Sequence, residues 1–141
     1  MSVVGFKVDM FFYEVGHPDL LHSFFSTMSY HTEPEGWGTK YPLLMKDLYF
    51  DKLKWQDAPE ALKNIEEIRE KLSKIPPSEV VWDIEDIAKR PPWEDNLPKQ
   101  VTNLENYYAT PRGTTFFTLL INALKDSIQD KMDVIIKKKY S

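Results

Sequence analysis

One dense group of carboxylates is the clearest candidate for chemistry in this sequence. Its members lie between residues 83 and 95: Asp83, Glu85, Asp86, Glu94 and Asp95. Two neighbouring carboxylates can act as a general acid and a general base when burial separates their pKa values. A solvated acidic surface contains the same residue types, and charge clusters also arise without any catalytic role. The sequence favours the acidic surface, and a small hydrolase that uses the 83–95 carboxylates is the alternative.

The same segment carries the negative charge of the whole chain. Between residues 79 and 95 there are six acidic and two basic residues, and this excess of acids equals the formal net charge of −4. Trp82 and Trp93 interleave with the acids. Tryptophan is a frequent anchor of protein interfaces, where charges control the rate and orientation of approach. We therefore predict that a protein partner contacts the following residues: Trp37, Trp82, Asp83, Glu85, Asp86, Trp93, Glu94 and Asp95.

Each of these tryptophans also has a structural interpretation. Trp82 ends a predicted strand and would then lie in the core. Trp93 follows two prolines, and it would either stay half exposed or pin its own loop to the core. Trp37 stands between Gly36 and Gly38. It is predicted to pack down as the anchor of its loop, because an indole buries a large apolar surface and offers one N–H donor.

Other kinds of chemistry lack their motifs in this sequence. The chain has no cysteine, which excludes disulfides, thiolate metal sites and cysteine nucleophiles and favours a reducing compartment. His17, His22 and His31 do not have the i, i+4 spacing of a metal-binding helix face. Neither a Gly-x-Ser-x-Gly elbow nor a glycine-rich phosphate loop occurs. We predict no catalytic residue, no metal and no cofactor, and a protein that is not an enzyme.

Charge and hydropathy narrow the range of partners and locations. A net charge of −4 argues against nucleic acid as a partner, because phosphates are bound by basic surfaces. The apolar stretches are far shorter than the roughly 20 residues of a membrane span. The first residues show no basic stretch followed by an apolar run, so no signal peptide is predicted. These patterns predict a cytoplasmic protein that binds neither nucleic acid nor membrane, and they leave the oligomeric state open.

Three segments are predicted to form one sheet beneath this surface. Apolar side chains alternate with other residues over 4–12, which predicts a strand with one buried face. Runs of β-branched and aromatic residues at 80–82 and 134–136 predict two further strands. Three lysines at 137–139 would blunt the open end of the last strand.

Amphipathic helices are predicted to cover the sheet. Apolar residues at three- and four-residue spacing predict a first helix after Pro18, a second over 41–50 and a last one over 116–128. A further helix is predicted between a capping box of Asp57 and Glu60 and a pair of prolines. Four side chains on the apolar stripes are predicted to be core: Phe24, Leu62, Ile65 and Leu120.

This order of elements predicts an α+β fold. One domain would span residues 1–141, with a small, mostly antiparallel sheet packed against several helices. An irregular, proline-rich segment over 83–113 interrupts the regular elements. Long irregular segments inside compact domains are often functional, which is a second reason to place the partner there.

Two stretches of the sequence resemble the immunity protein 70 family. The first is Gly36-Trp37-Gly38-Thr39-Lys40-Tyr41-Pro42-Leu43-Leu44-Met45-Lys46-Asp47-Leu48-Tyr49. The second is Val81-Trp82-Asp83-Ile84-Glu85-Asp86-Ile87, followed by Pro91-Pro92-Trp93-Glu94-Asp95-Asn96. The resemblance extends over most of the chain, from about Phe6 to Val134.

The resemblance implies an α+β protein of a bacterial polymorphic toxin system. Such a protein would bind the C-terminal domain of a secreted or contact-delivered toxin and protect the cell that produces it. If the toxin is a nuclease, an acidic inhibitor would block its basic substrate groove by imitating phosphate charge. The resemblance supplies no catalytic residue to carry over. A regulatory module that binds a different host protein is the remaining alternative.

Overall fold

Four strands and three α-helices form the regular part of the computed structural model, which describes residues 2–140. The strands are β1 Ser2–Val8, β2 Phe11–Gly16, β3 Lys52–Leu53 and β4 Val134–Tyr140. They form one sheet in the order β2-β1-β4-β3, and all of its neighbours are antiparallel. The helices are α1 Pro18–Thr32, α2 Ala58–Leu72 and α3 Phe116–Asp130. The predicted α+β fold, with a small antiparallel sheet packed against helices, is confirmed.

A hairpin replaces the single strand predicted over residues 4–12. β1 ends at Val8, which pairs with Phe11 of β2 across a two-residue turn. Asp9 adopts a positive φ of 52° in this turn, and aspartate tolerates that conformation better than most residues. The prediction was wrong because Met10 and Phe12 continue the apolar alternation only in the sequence: Met10 lies in the turn and is 87% exposed, and Phe12 pairs with Lys7, on the face opposite to Val8.

Residues 80–82 were predicted to be a strand, and this prediction was wrong. The backbone of Val81 is bonded to side chains of α1 and not to the sheet: its N–H donates to Thr27 Oγ1 at 3.0 Å, and its carbonyl accepts from Ser23 Oγ at 2.9 Å. The sheet instead gains β3, which pairs with β4. The predicted strand at 134–136 is confirmed, since β4 pairs with β1 along its whole length.

The helices begin and end where local chemistry satisfies their backbone groups. His17 caps α1 by accepting from the Asp19 N–H at 3.0 Å, and Thr115 caps α3 by accepting from the Thr118 N–H at 3.2 Å. The predicted capping box before α2 is wrong. Asp57 has helical φ and ψ and makes no side-chain capping bond, because a 3-10 turn over Trp55–Asp57 already leads into the helix.

One cluster of buried side chains forms the core between the sheet and the helices. Phe24, Ile65 and Leu120 are fully buried, as predicted. Leu62 is only partly buried, and for this residue the prediction was wrong. It lies at the edge of the buried stripe of α2, whose members are Ala58, Ala61, Ile65, Ile68 and Leu72.

Candidate partner-binding surface

Helix α1 fixes the start of the acidic segment through a buried polar network. The hydroxyl of Tyr108 lies 2.7 Å from Ser23 Oγ and 2.8 Å from Thr27 Oγ1. The same two side chains bind the backbone of Val81, immediately before the segment. Burial raises the pKa of Tyr108. Each buried polar group of this network has a partner, so residues 81 and 108 are held firmly against α1.

The two tryptophans of the segment pack against each other. The rings of Trp82 and Trp93 meet edge to face, with centroids 5.4 Å apart. The indole N–H of Trp93 donates to the hydroxyl of Tyr107 at 2.8 Å. Both tryptophans are partly buried, and Pro91 between them is buried. Trp93 therefore pins its loop to the core and still presents part of its ring to solvent.

Asp83 is the one member of the acidic group whose carboxylate is hydrogen-bonded to other parts of the fold. Its carboxylate accepts from the Glu85 N–H at 3.0 Å and from His22 Nε2 at 3.1 Å. The backbone N–H of Glu85 and then the bond with His22 lower the pKa of Asp83 below its usual range. A lowered pKa favours a permanent negative charge and is the opposite of what a general acid requires.

The other four acids lie on the outside of the segment: Glu85, Asp86, Glu94 and Asp95. Glu94 adopts a left-handed φ of 50° in a turn. The Asp95 side chain is 94% exposed and lies 3.9 Å from Arg90. These carboxylates form a field of exposed charge and not a buried catalytic pair.

A buried glutamate shapes the loop that carries Trp37. Glu33 is only 3% exposed, and its carboxylate accepts from the N–H groups of Gly38, Lys40 and Tyr41 at 2.9–3.1 Å. Trp37 packs against the core and donates its indole N–H to the carbonyl of Met45 at 2.7 Å. Trp37 is therefore held in place by its own N–H and by the loop that Glu33 organises.

Sequence reasoning missed three residues near Trp37, and two of them, Tyr49 and His22, join it to the acidic segment. Tyr49 packs on Trp37, with ring centroids 5.1 Å apart, and its hydroxyl lies 2.7 Å from His22 Nδ1. On its other side, His22 donates from Nε2 to the carboxylate of Asp83, which can only accept. Burial, followed by the charges of Glu85 and Asp83, raises the pKa of Tyr49.

Phe50 is the third missed residue, and it had a signal in the sequence. Residues 42–50 form a helix that is π-helical over Leu43–Leu48. Leu44 and Leu48 are buried, and a residue two positions beyond Leu48 points away from their face of the helix. Phe50 accordingly stays 71% exposed.

A groove runs along the other side of the acidic segment. It has a volume of about 630 Å³ and lies between residues 93–101 and residues 106–116. Trp93, Leu97, Val101 and Tyr107 are among the side chains that line it. It is a largely apolar cleft, and none of the five acids of the segment lines it.

Neither a metal centre nor a membrane span is formed by the described residues. Within residues 2–140, no three side chains of the metal-binding types come close enough together to hold an ion. No helix in the same range combines the length and the apolar character that a membrane crossing requires.

The family model of immunity protein 70 matches residues 6–136. The chain belongs to the immunity protein 70 family. It is therefore an immunity protein, and the resemblance inferred from its tryptophan-containing stretches is confirmed. No curated protein and no solved structure matches this immunity protein.

Proposed function

We propose that this immunity protein neutralises a cognate toxin of a polymorphic toxin system by binding directly to the toxin's C-terminal domain. Binding takes place in the cytoplasm of the producing cell and involves no catalysis. The observation that carries the proposal is the family match over residues 6–136. An inhibitor of this kind needs a rigid scaffold and one well-ordered surface, and it needs no cofactor.

The toxin-binding surface is assigned to the acidic segment, from Trp82 to Asp95, with Trp37 beside it. Two features support the assignment. The segment is anchored at both ends, by Val81 on α1 and by Trp93 on Tyr107, so it loses little entropy on binding. Between these anchors, every side chain from Glu85 to Arg90 is exposed and available for contact.

A nuclease is the class of toxin that this surface fits best. Nucleases bind phosphates in basic grooves, and a field of exposed carboxylates can occupy such a groove in place of the nucleic acid. Complementary charge also accelerates association, which benefits an inhibitor that must act before the toxin does.

Catalysis by the 83–95 carboxylates has weaker support. Asp83 has a lowered pKa, and the other acids of the group are exposed and do not line the apolar cleft. A hydrolytic pair needs two close carboxylates whose environments push their pKa values apart. We infer from this arrangement that the acids act as fixed charges.

Co-expression with the C-terminal domain of the toxin encoded beside the immunity gene tests the proposal. The immunity protein should restore growth, and the two purified proteins should form a stable complex. A double charge reversal, Glu85→Lys with Asp86→Lys, should weaken protection. Glu60→Lys with Glu66→Lys is the matched control, because it makes the same change in net charge at exposed positions of α2. Growth arrest without a complex, despite soluble immunity protein, would refute direct binding.

A further inference from the structure

Three aromatic side chains form a continuous patch, here called the aromatic face: Trp37, Tyr49 and Phe50. The ring centroids of Trp37 and Tyr49 are 5.1 Å apart, and those of Tyr49 and Phe50 are 4.9 Å apart. The first two rings are partly buried, whereas Phe50 is 71% exposed. An exposed ring supported by two half-buried rings is typical of the anchors of protein interfaces.

The aromatic face is held rigidly from below. Leu44, Met45 and Leu48 of the π-helix are fully buried, and Trp37 is bonded to the carbonyl of Met45. π-Helical turns occur frequently at functional sites. A side chain on a rigid platform loses less conformational entropy on binding than one on a mobile loop, so Phe50 is preorganised for contact.

His22 joins the aromatic face to the acidic segment. Its ring nitrogens lie 2.7 Å from the Tyr49 hydroxyl and 3.1 Å from the Asp83 carboxylate. The charges of Asp83 and Glu85 both reach the Tyr49 hydroxyl and contribute to its raised pKa. Negative charge therefore adjoins the aromatic face on the side of α1.

We propose that the aromatic face and the carboxylates of Asp83 and Glu85 together bind a basic segment of the toxin, with Phe50 as the central contact. The proposal rests on the proposed function, because it assumes that the toxin is the partner. An arginine or lysine side chain is the chemistry that fits this surface. Its alkyl stem packs on an aromatic ring, and its cation is attracted both by the ring and by nearby carboxylates.

The turn between β1 and β2 is another exposed apolar site, but it lies outside the acidic segment and carries charge of both signs, because Asp9 is exposed in the turn itself. Met10 is 87% exposed there and Phe11 is also exposed. Next to this turn, Lys139 lies 4.0 Å above the ring of Phe12 and brings positive charge to the same edge of the sheet. Met10 therefore provides a matched control, since it is an exposed apolar side chain outside the proposed surface.

The test measures binding of variants to the purified C-terminal domain of the toxin encoded beside the immunity gene, at several salt concentrations. Phe50→Ala should raise Kd about 30-fold or more, mainly through faster dissociation. Glu85→Gln should slow association and reduce its dependence on salt. Met10→Ala should bind within about threefold of the wild type, as expected for a residue outside the contact.

A pair of charged substitutions at the same position separates a basic partner from an apolar one. Phe50→Lys should bind more weakly than Phe50→Glu, because only the lysine repels a basic segment. Equal affinities of these two variants, or Phe50→Ala with an affinity close to that of the wild type, would overturn the inference and leave the proposed function intact. A wild-type protein that does not bind the toxin domain would overturn both.

Discussion

Replacing Thr27 by valine removes the hydroxyl that holds the start of the acidic segment on α1. Valine has almost the shape of threonine, so the change removes the hydroxyl and creates no cavity. Val81 is buried, and its N–H donates to Thr27 Oγ1 at 3.0 Å. In the variant this N–H loses its acceptor, whereas the Ser23 hydroxyl still donates to the Val81 carbonyl and the Tyr108 hydroxyl still donates to the Ser23 carbonyl.

One buried donor without a partner costs about 1–3 kcal/mol. Ser23→Ala provides the comparison, because both groups that it contacts retain Thr27 as a partner. Its cost should be only about 0.5–1.5 kcal/mol, the net value of an ordinary hydrogen bond. Thr27→Ser keeps the hydroxyl and should cost about 1 kcal/mol for the lost methyl group.

Urea unfolding of the three variants gives the measurement. The denaturation midpoint should fall most for Thr27→Val, while the slope of free energy against urea stays unchanged. If Ser23→Ala is as destabilising as Thr27→Val, the Val81 N–H has found another acceptor and the reasoning fails. If all three variants have the same urea midpoint as the wild type, the polar network does not stabilise the fold.

Four further outcomes are expected from the structure. Glu33→Ala leaves three backbone N–H groups without their acceptor and should lower the free energy of unfolding by about 2–3 kcal/mol, whereas the exposed neighbour variant Glu35→Ala should not. Trp93→Ala should lower the free energy of unfolding by about 2 kcal/mol and should also weaken toxin binding. Lost stability with intact affinity would restrict this side chain to a structural role. Gly5→Ala should be destabilising by about 1–3 kcal/mol, because its Cβ would lie 2.3 Å from the carbonyl oxygen of Tyr13, and a variant as stable as the wild type would show that the hairpin shifts freely. Burial and then Asp126 raise the pKa of Tyr13 to about 12. The stability that this residue contributes is therefore complete below the unfolded pKa of about 10 and is lost as the pH rises through 12. Between pH 9 and pH 11, the urea midpoint should fall less for Tyr13→Phe than for the wild type.

Patterns confined to one element were predictable from the sequence, and pairings between elements were not. The stripes of α1, α2 and α3 placed Phe24, Ile65 and Leu120 correctly in the core. Val81, in contrast, has the β-branched neighbourhood of a strand, and its backbone is bonded instead to hydroxyl groups of α1. Local propensity cannot reveal that hydroxyl groups of α1 replace a neighbouring strand as the hydrogen-bond partners of Val81, because they lie more than 50 positions away in the chain.

The candidate surface was predictable to a similar extent. The acids and tryptophans stand out by composition, and the setting of Trp37 between glycines predicted that it packs down. The contacts of His22 with Tyr49 and Asp83 depend on three segments meeting in space, and no spacing in the sequence indicates them. Phe50 was missed although its position opposite the buried stripe could have marked it.

Because the acidic segment is anchored at both ends, residues between the anchors can change with little effect on the stability of the fold. Val81 and Trp93 hold the two ends, and the side chains from Glu85 to Arg90 all face solvent. Substitutions at such positions usually change the free energy of unfolding by less than about 0.5 kcal/mol. If the segment binds the toxin as proposed, its residues can vary as the complementarity-determining loops of an antibody do, and a change of partner requires no change in the core. On that proposal, grafting residues 85–90 between related immunity proteins is expected to redirect their toxin specificity.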